Sequence, residues 1–177
     1  MMLGEIRSHS PEGAPEGFRV AEITGRSQRA LRIPRQALED GVPLPELSGG
    51  GVFFLFGPGA ETEERPRVYI GSAQDLAQQL AHQAHQAPFA WQWAVAVPLA
   101  VPRVPRFHKE LIKLVQLHCH RSAIRARHHA VVNHEPTCPS LVPAFIEREI
   151  KGSRAAIQTL LFALGHPVLG TRLQVVS

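Results

Sequence analysis

The sequence predicts an α+β fold: a small three-stranded antiparallel sheet flanked by helices, with an N-terminal extension and a C-terminal helical segment. Three observations predict it. Two apolar runs, GVFFLFG (51–57) and RVYIG (67–71), end in glycine and face each other across the polar loop PGAETEERP, as the arms of a long hairpin do. Helical spacing of apolar residues takes over after each strand region, from 72 and again from 107. The resulting order of strand, strand, helix, strand, helix, loop, helix packs a small sheet under helices.

Taken in order, residues 1–17 are rich in Gly, Pro, Ser and Glu and read as a flexible arm. Residues 18–50 read as an N-terminal extension. Within it FRVAEITG (18–25) alternates apolar and polar as a strand would, and RALRIPRQALEDG (29–41) gives an extended piece, Pro34 and a turn or two of helix. The main domain is assigned to 51–141. GVFFLFG is apolar on both faces, which fits a central strand covered on both sides. SAQDLAQQLAHQAHQ (72–86) reads as a helix with Leu76 and Leu80 on one stripe, Ser72 as N-cap and Asp75 in the first turn. FAWQWAVAV (89–97) would place Phe89, Trp91, Trp93, Val95 and Val97 on one face of a third strand. FHKELIKLVQLHCHRSAIRAR (107–127) is the longest helix candidate, and NHEPTCPSL (133–141) a loop. Residues 142–177 form the C-terminal helical segment, with a weak point at Gly152 and a stop at Gly165 and Pro167.

A chain of 177 residues suits one domain with short extensions, and 44% hydrophobic against 19% charged residues excludes a disordered chain. No apolar run approaches the ~18 residues that span a bilayer, and the start lacks the pattern of a signal peptide. A cytoplasmic protein with no membrane partner is expected, its Cys119 and Cys138 reduced and serving as packing residues. A net charge of +4 and a pI near 9.7 favour a polyanionic partner.

The ordered motifs resemble the GIY-YIG nuclease family, in particular a bacterial branch with a short N-terminal extension and a C-terminal helical hairpin. GVFFLFG looks like that branch's G-V-Y-F-L-x-G strand, and VYIGSAQDLAQQLAHQ like its V-Y-I-G strand and helix start. LVQLHCH sits where the family has tyrosine-leucine-glutamate, and NHEPTCPSL resembles its Asn-x-x-P-x-x-P-S-L loop. RALRIPR resembles a stretch before the first strand, so the likeness runs over about residues 26–175. It implies a phosphodiesterase using Mg²⁺ or Mn²⁺: a first-strand tyrosine as general base, a second tyrosine shaping the site, a helix arginine on the phosphate and a glutamate on the metal. Carried over, Tyr69 retains the second tyrosine, whereas the base falls on Phe53, the arginine on Gln79 and the metal-binding glutamate on Gln116. Asn133 or His134 matches the family's late asparagine. A positioned base contributes ~10² to 10⁴ in rate, and glutamine lacks the charge that a hard divalent ion wants. We therefore expect a degenerate site with no cofactor, in which Phe53, Tyr69, Gln79 and Gln116 converge on one cleft. The alternative is an active, metal-dependent endonuclease rebuilt around Asp75, His82 and His120.

HCHRSAIRARHHAVVNH (118–134) carries five histidines and three arginines. Arg121, Arg125 and His128 would share one face if the helix continued, with Arg127 and His129 alongside, and such a face can contact phosphates. A solvated basic surface at a helix end and a zinc site drawn from His118, Cys119, His120, His128, His129, His134 and Cys138 are the competing readings. The function expected is DNA binding, ahead of RNA, without cleavage. A protein-interaction module that binds no nucleic acid is the third reading.

Overall fold

Strand β4 (Gly51–Gly57) is buried along its whole length, because its two neighbours lie in the sheet on either side of it and helices cover both its faces. It pairs antiparallel with β5 (Arg67–Ala73) and β6 (Trp93–Pro98), as a strand apolar on both faces should. These belong to one seven-stranded sheet in the order β1–β2–β3–β6–β4–β5–β7, completed by β1 (Ile6–His9), β2 (Arg19–Ile23), β3 (Arg29–Pro34) and β7 (Ala130–Val131). The computed structural model describes residues 4–86, 89–137 and 141–171.

The sheet is therefore not three-stranded. β3 pairs antiparallel with β6, so the segment before residue 51 supplies strands to the same sheet as the hairpin. β7 adds a short parallel edge on β5. Strand β1 lies where the sequence reads as a loose arm. Its residues Arg7, Ser8 and His9 are exposed, so it carries no alternating pattern and owes its form to its ladder with β2.

Helices α1 (Arg35–Glu39) and α2 (Leu76–His85) cover one face, where Phe18, Leu31, Ile33, Phe53, Leu55, Leu76, Leu80 and Trp91 form a core. Helices α3 (His108–Ala126) and α4 (Ala144–Ala163) cover the other, over Val52, Phe54, Phe56, Val68, Ile70, Val95 and Val97. The alternation of β4 and β5 thus feeds two cores. Trp93, Val95 and Val97 do share a face, but Phe89 and Trp91 precede the strand and pack into the opposite core. Helix α2 starts later than its sequence suggests: Asp75, not Ser72, is the N-cap, accepting from the Gln78 N–H at 3.1 Å. Helix α4 runs unbroken through Gly152, because packing against α3 and the sheet outweighs the ~1 kcal/mol that glycine costs a helix. It ends at Ala163 with Leu164 as its C-cap, and Gly165 follows at φ 83°. Among the described residues no helix is long and apolar enough to cross a membrane.

Candidate functional site

Phe53 and Tyr69 do come together. They leave neighbouring strands on the α2 face, with ring centroids 6.0 Å apart and planes 19° from parallel. Phe53 is 1% exposed and lies across Gly71, where an added Cβ would sit 2.3 Å from the Phe53 ring. The glycine after the tyrosine is thus a packing requirement of the phenylalanine. Phe53 is not at the mouth of a cleft, and a hydroxyl on it would have to be buried. Its replacement by tyrosine would set a polar group in the core.

Gln116 works on the opposite face. Its amide is 7% exposed. It accepts from Ser72 Oγ at 2.6 Å and donates through Nε2 to the Ile70 carbonyl at 3.1 Å. Asn133 uses the same backbone unit: its Oδ1 accepts from the Ile70 N–H at 3.0 Å, and its Nδ2 donates to the Ile70 carbonyl at 2.7 Å. His120, one turn after Gln116, holds the Asn133 carbonyl through Nε2 at 2.8 Å. A carbonyl only accepts, so Nε2 carries the proton. Gln116, Asn133 and His120 thereby form one network tying α3 and the chain after β7 to β5. The four positions expected in one cleft are split: Phe53 and Tyr69 face α2, whereas Gln116 reaches β5 from α3.

On α2, Gln79 is half-buried, His82 is exposed, and the Asp75 carboxylate is engaged as the helix cap. His120 is bound on the other side of the sheet, so Asp75, His82 and His120 are not assembled into a rebuilt site. The divalent ion that the family resemblance implies does not fit these side chains. The glutamate position is a neutral amide whose oxygen and nitrogen are both used. Among the described residues no group of three or more His, Cys, Asp and Glu converges. The zinc reading fares no better: Cys119 is fully buried, and burial pushes its thiol up to about 12. Cys138 lies outside the described residues.

The basic segment divides in two. Helix α3 ends at Ala126, and Arg127 takes the left-handed conformation at φ 59°, its N–H donating to the Ala123 carbonyl at 3.2 Å. His128 therefore does not continue the Arg121–Arg125 face. His129 turns inward, 9% exposed, its ring edge-on to Phe56 at 5.5 Å, and burial holds it down at about 4. It is removed from any surface that meets phosphates. Arg121 and Arg125 remain exposed on α3, with Arg121 ion-paired to Glu135, and Arg127 and His128 are exposed beyond the helix end.

Two residues of α4 that sequence reasoning missed join them. His118, half-buried, is held below the usual imidazole range, first by burial and then by the charges of Arg121, Arg154, Lys151 and Arg125. Cations from two packed helices thus act on one ring. The spacing of Lys151 and Arg154, three apart on one helix face, is visible in the sequence, but the pairing of α3 with α4 is not. The tryptophans are no base-stacking platform: Trp91 is core, and the Arg32 guanidinium covers Trp93 at 3.7 Å. With this geometry in place, the chain was compared with known proteins: no family model, no curated protein and no solved structure matches it.

Proposed function

We propose that this chain is a GIY-YIG-like domain that binds nucleic acid, DNA ahead of RNA, without hydrolysing it. The exposed Arg121, Arg125, Arg127 and His128 at the C-terminal end of α3, together with the exposed Lys151 of the packed helix α4, carry this reading. A face this rich in exposed cations attracts a polyphosphate chain. The likeness to the nuclease fold draws support from the antiparallel trio β6–β4–β5 with helices on both faces. The absence of cleavage draws support from the buried ring of Phe53 and the fully engaged amide of Gln116.

Fluorescence anisotropy of a labelled DNA duplex across a salt series tests the binding. Exchanging Arg125 and Lys151 together for alanine should weaken binding and lower the slope of log affinity against log salt by about 2, roughly 0.9 for each phosphate that is no longer neutralised. No binding of either duplex or single-stranded DNA at low salt, or an unchanged slope, sinks the reading. Incubation of plasmid DNA with Mg²⁺ or Mn²⁺ should leave it intact. Metal-dependent nicking by the purified, unmodified protein would overturn the non-catalytic half alone.

A further inference from the structure

Beside the basic cluster, α3 and the segment after β7 border an open, largely apolar depression of about 430 Å³, lined by His120, Arg121, Ile124, Arg125 and Glu135. Ile124 is 53% exposed there, a large aliphatic side chain presented to solvent among charged neighbours. Resting on the nucleic-acid reading above, we propose that this depression takes an unpaired nucleobase, so that the protein prefers single-stranded to duplex nucleic acid.

The charge distribution selects this occupant. Arg121 and Arg125 border the depression and also belong to the exposed basic face, so a strand whose phosphates follow that face brings its base to Ile124. Glu135 stands in the same wall, paired with Arg121. A phosphate placed in the depression would meet that carboxylate and be repelled. A nucleobase instead offers an apolar face to Ile124 and to the aliphatic stems of the arginines. Its polar edge meets a donor, the Arg121 guanidinium, and an acceptor, the Glu135 carboxylate. A carboxylate accepts from exocyclic amino groups, which cytosine has and thymine lacks. In a duplex the bases are stacked and paired, their faces closed to the protein, so only an unpaired base can use this surface.

The probes are fluorescein-labelled oligo(dC), oligo(dT) and a duplex of equal length. The expected order of affinity is oligo(dC), then oligo(dT), then the duplex. Ile124→Ala changes an exposed side chain and should weaken oligo(dC) by about tenfold, because the base no longer covers an apolar surface, while leaving the duplex unchanged. Arg125→Ala should weaken all three. Glu135→Ala, which removes the acceptor, should erase the preference for oligo(dC) over oligo(dT). Tight binding of all three probes with no effect of Ile124→Ala overturns the base site and leaves the phosphate-binding reading standing. Failure of every probe to bind at low salt overturns both. If Ile124→Ala weakens duplex and single strand alike, the isoleucine is part of the general binding face, and the base site is again overturned.

Discussion

At position 116 a neutral amide does what a carboxylate could not do without a proton. Gln116 must donate to the Ile70 carbonyl and accept from Ser72 at the same time, and an ionised carboxylate only accepts. Gln116→Glu therefore sets a negative charge against a carbonyl oxygen in a buried place. We expect it to lower stability at neutral pH by about 1–3 kcal/mol, the cost of an unmade buried hydrogen bond. Burial also raises the pKa of the new carboxyl, and once protonated it regains a donor. The penalty relative to the unmodified protein should thus shrink as pH falls. Urea denaturation of both proteins across a pH series measures this, and a variant as stable as the parent at pH 7 contradicts the assigned role. The same reasoning shows why Gln116→Glu would not recreate a metal site: the position points into the β5 edge, where its bonds are structural.

At the scale of elements, β7 shows how little regular structure suffices when a side chain continues the ladder. Two residues pair with β5, and the Val132 N–H adds a bond to the Val68 carbonyl at 2.9 Å. The Asn133 side chain then serves both polar groups of Ile70 as the next peptide of a strand would. Asn133→Ala leaves the buried Ile70 N–H without this partner. It should cost about 1–3 kcal/mol and speed hydrogen exchange at Ile70 and Val132 far more than at Phe54, which has its bonds within the sheet. Uniform protection in the variant would mean that β7 holds without the asparagine. This element also marks what the sequence conceals. Strands β4 and β5 and helices α2, α3 and α4 were legible because period and composition act within one segment. β7 and β1 were not, since β7 is only two residues long, β1 has no apolar pattern, and each owes its form to pairing with another strand. The expected site fared alike. Residue identities at Phe53, Tyr69 and Gln116 could be read directly. Their division between two sheet faces, and the Lys151 and Arg154 contribution from α4, depend on tertiary packing that no local pattern records.

For the whole molecule the telling feature is a pair of histidines, His129 buried and His166 half-buried, on one phenylalanine. Phe56 stacks on His166 with centroids 4.1 Å apart and meets His129 edge-on, and the two rings come from the segments that follow α4 and α3. His129 Nδ1 and His166 Nε2 are buried atoms without a hydrogen-bond partner among the described residues, which leaves the desolvation of a proton there unrelieved by them. Burial first, helped by His128 at His129 and by Arg32 and then His129 at His166, lowers both from 6.5 to about 4. The unfolded chain therefore binds protons between these values that the folded chain does not. Stability is full above pH 6.5 and is lost as pH falls toward 4, through the window those values define. Each histidine adds a slope of at most ~1.4 kcal/mol per pH unit in that window. Urea midpoints should accordingly drop steeply across it, with ends of α4 and β7 loosening together, because both rings rest on Phe56. The double substitution His129→Phe, His166→Phe removes the titrating groups while keeping aromatic packing on Phe56. Its midpoints should lie on a flatter curve over the same range, and a curve as steep as the parent's would assign the acid sensitivity to other groups.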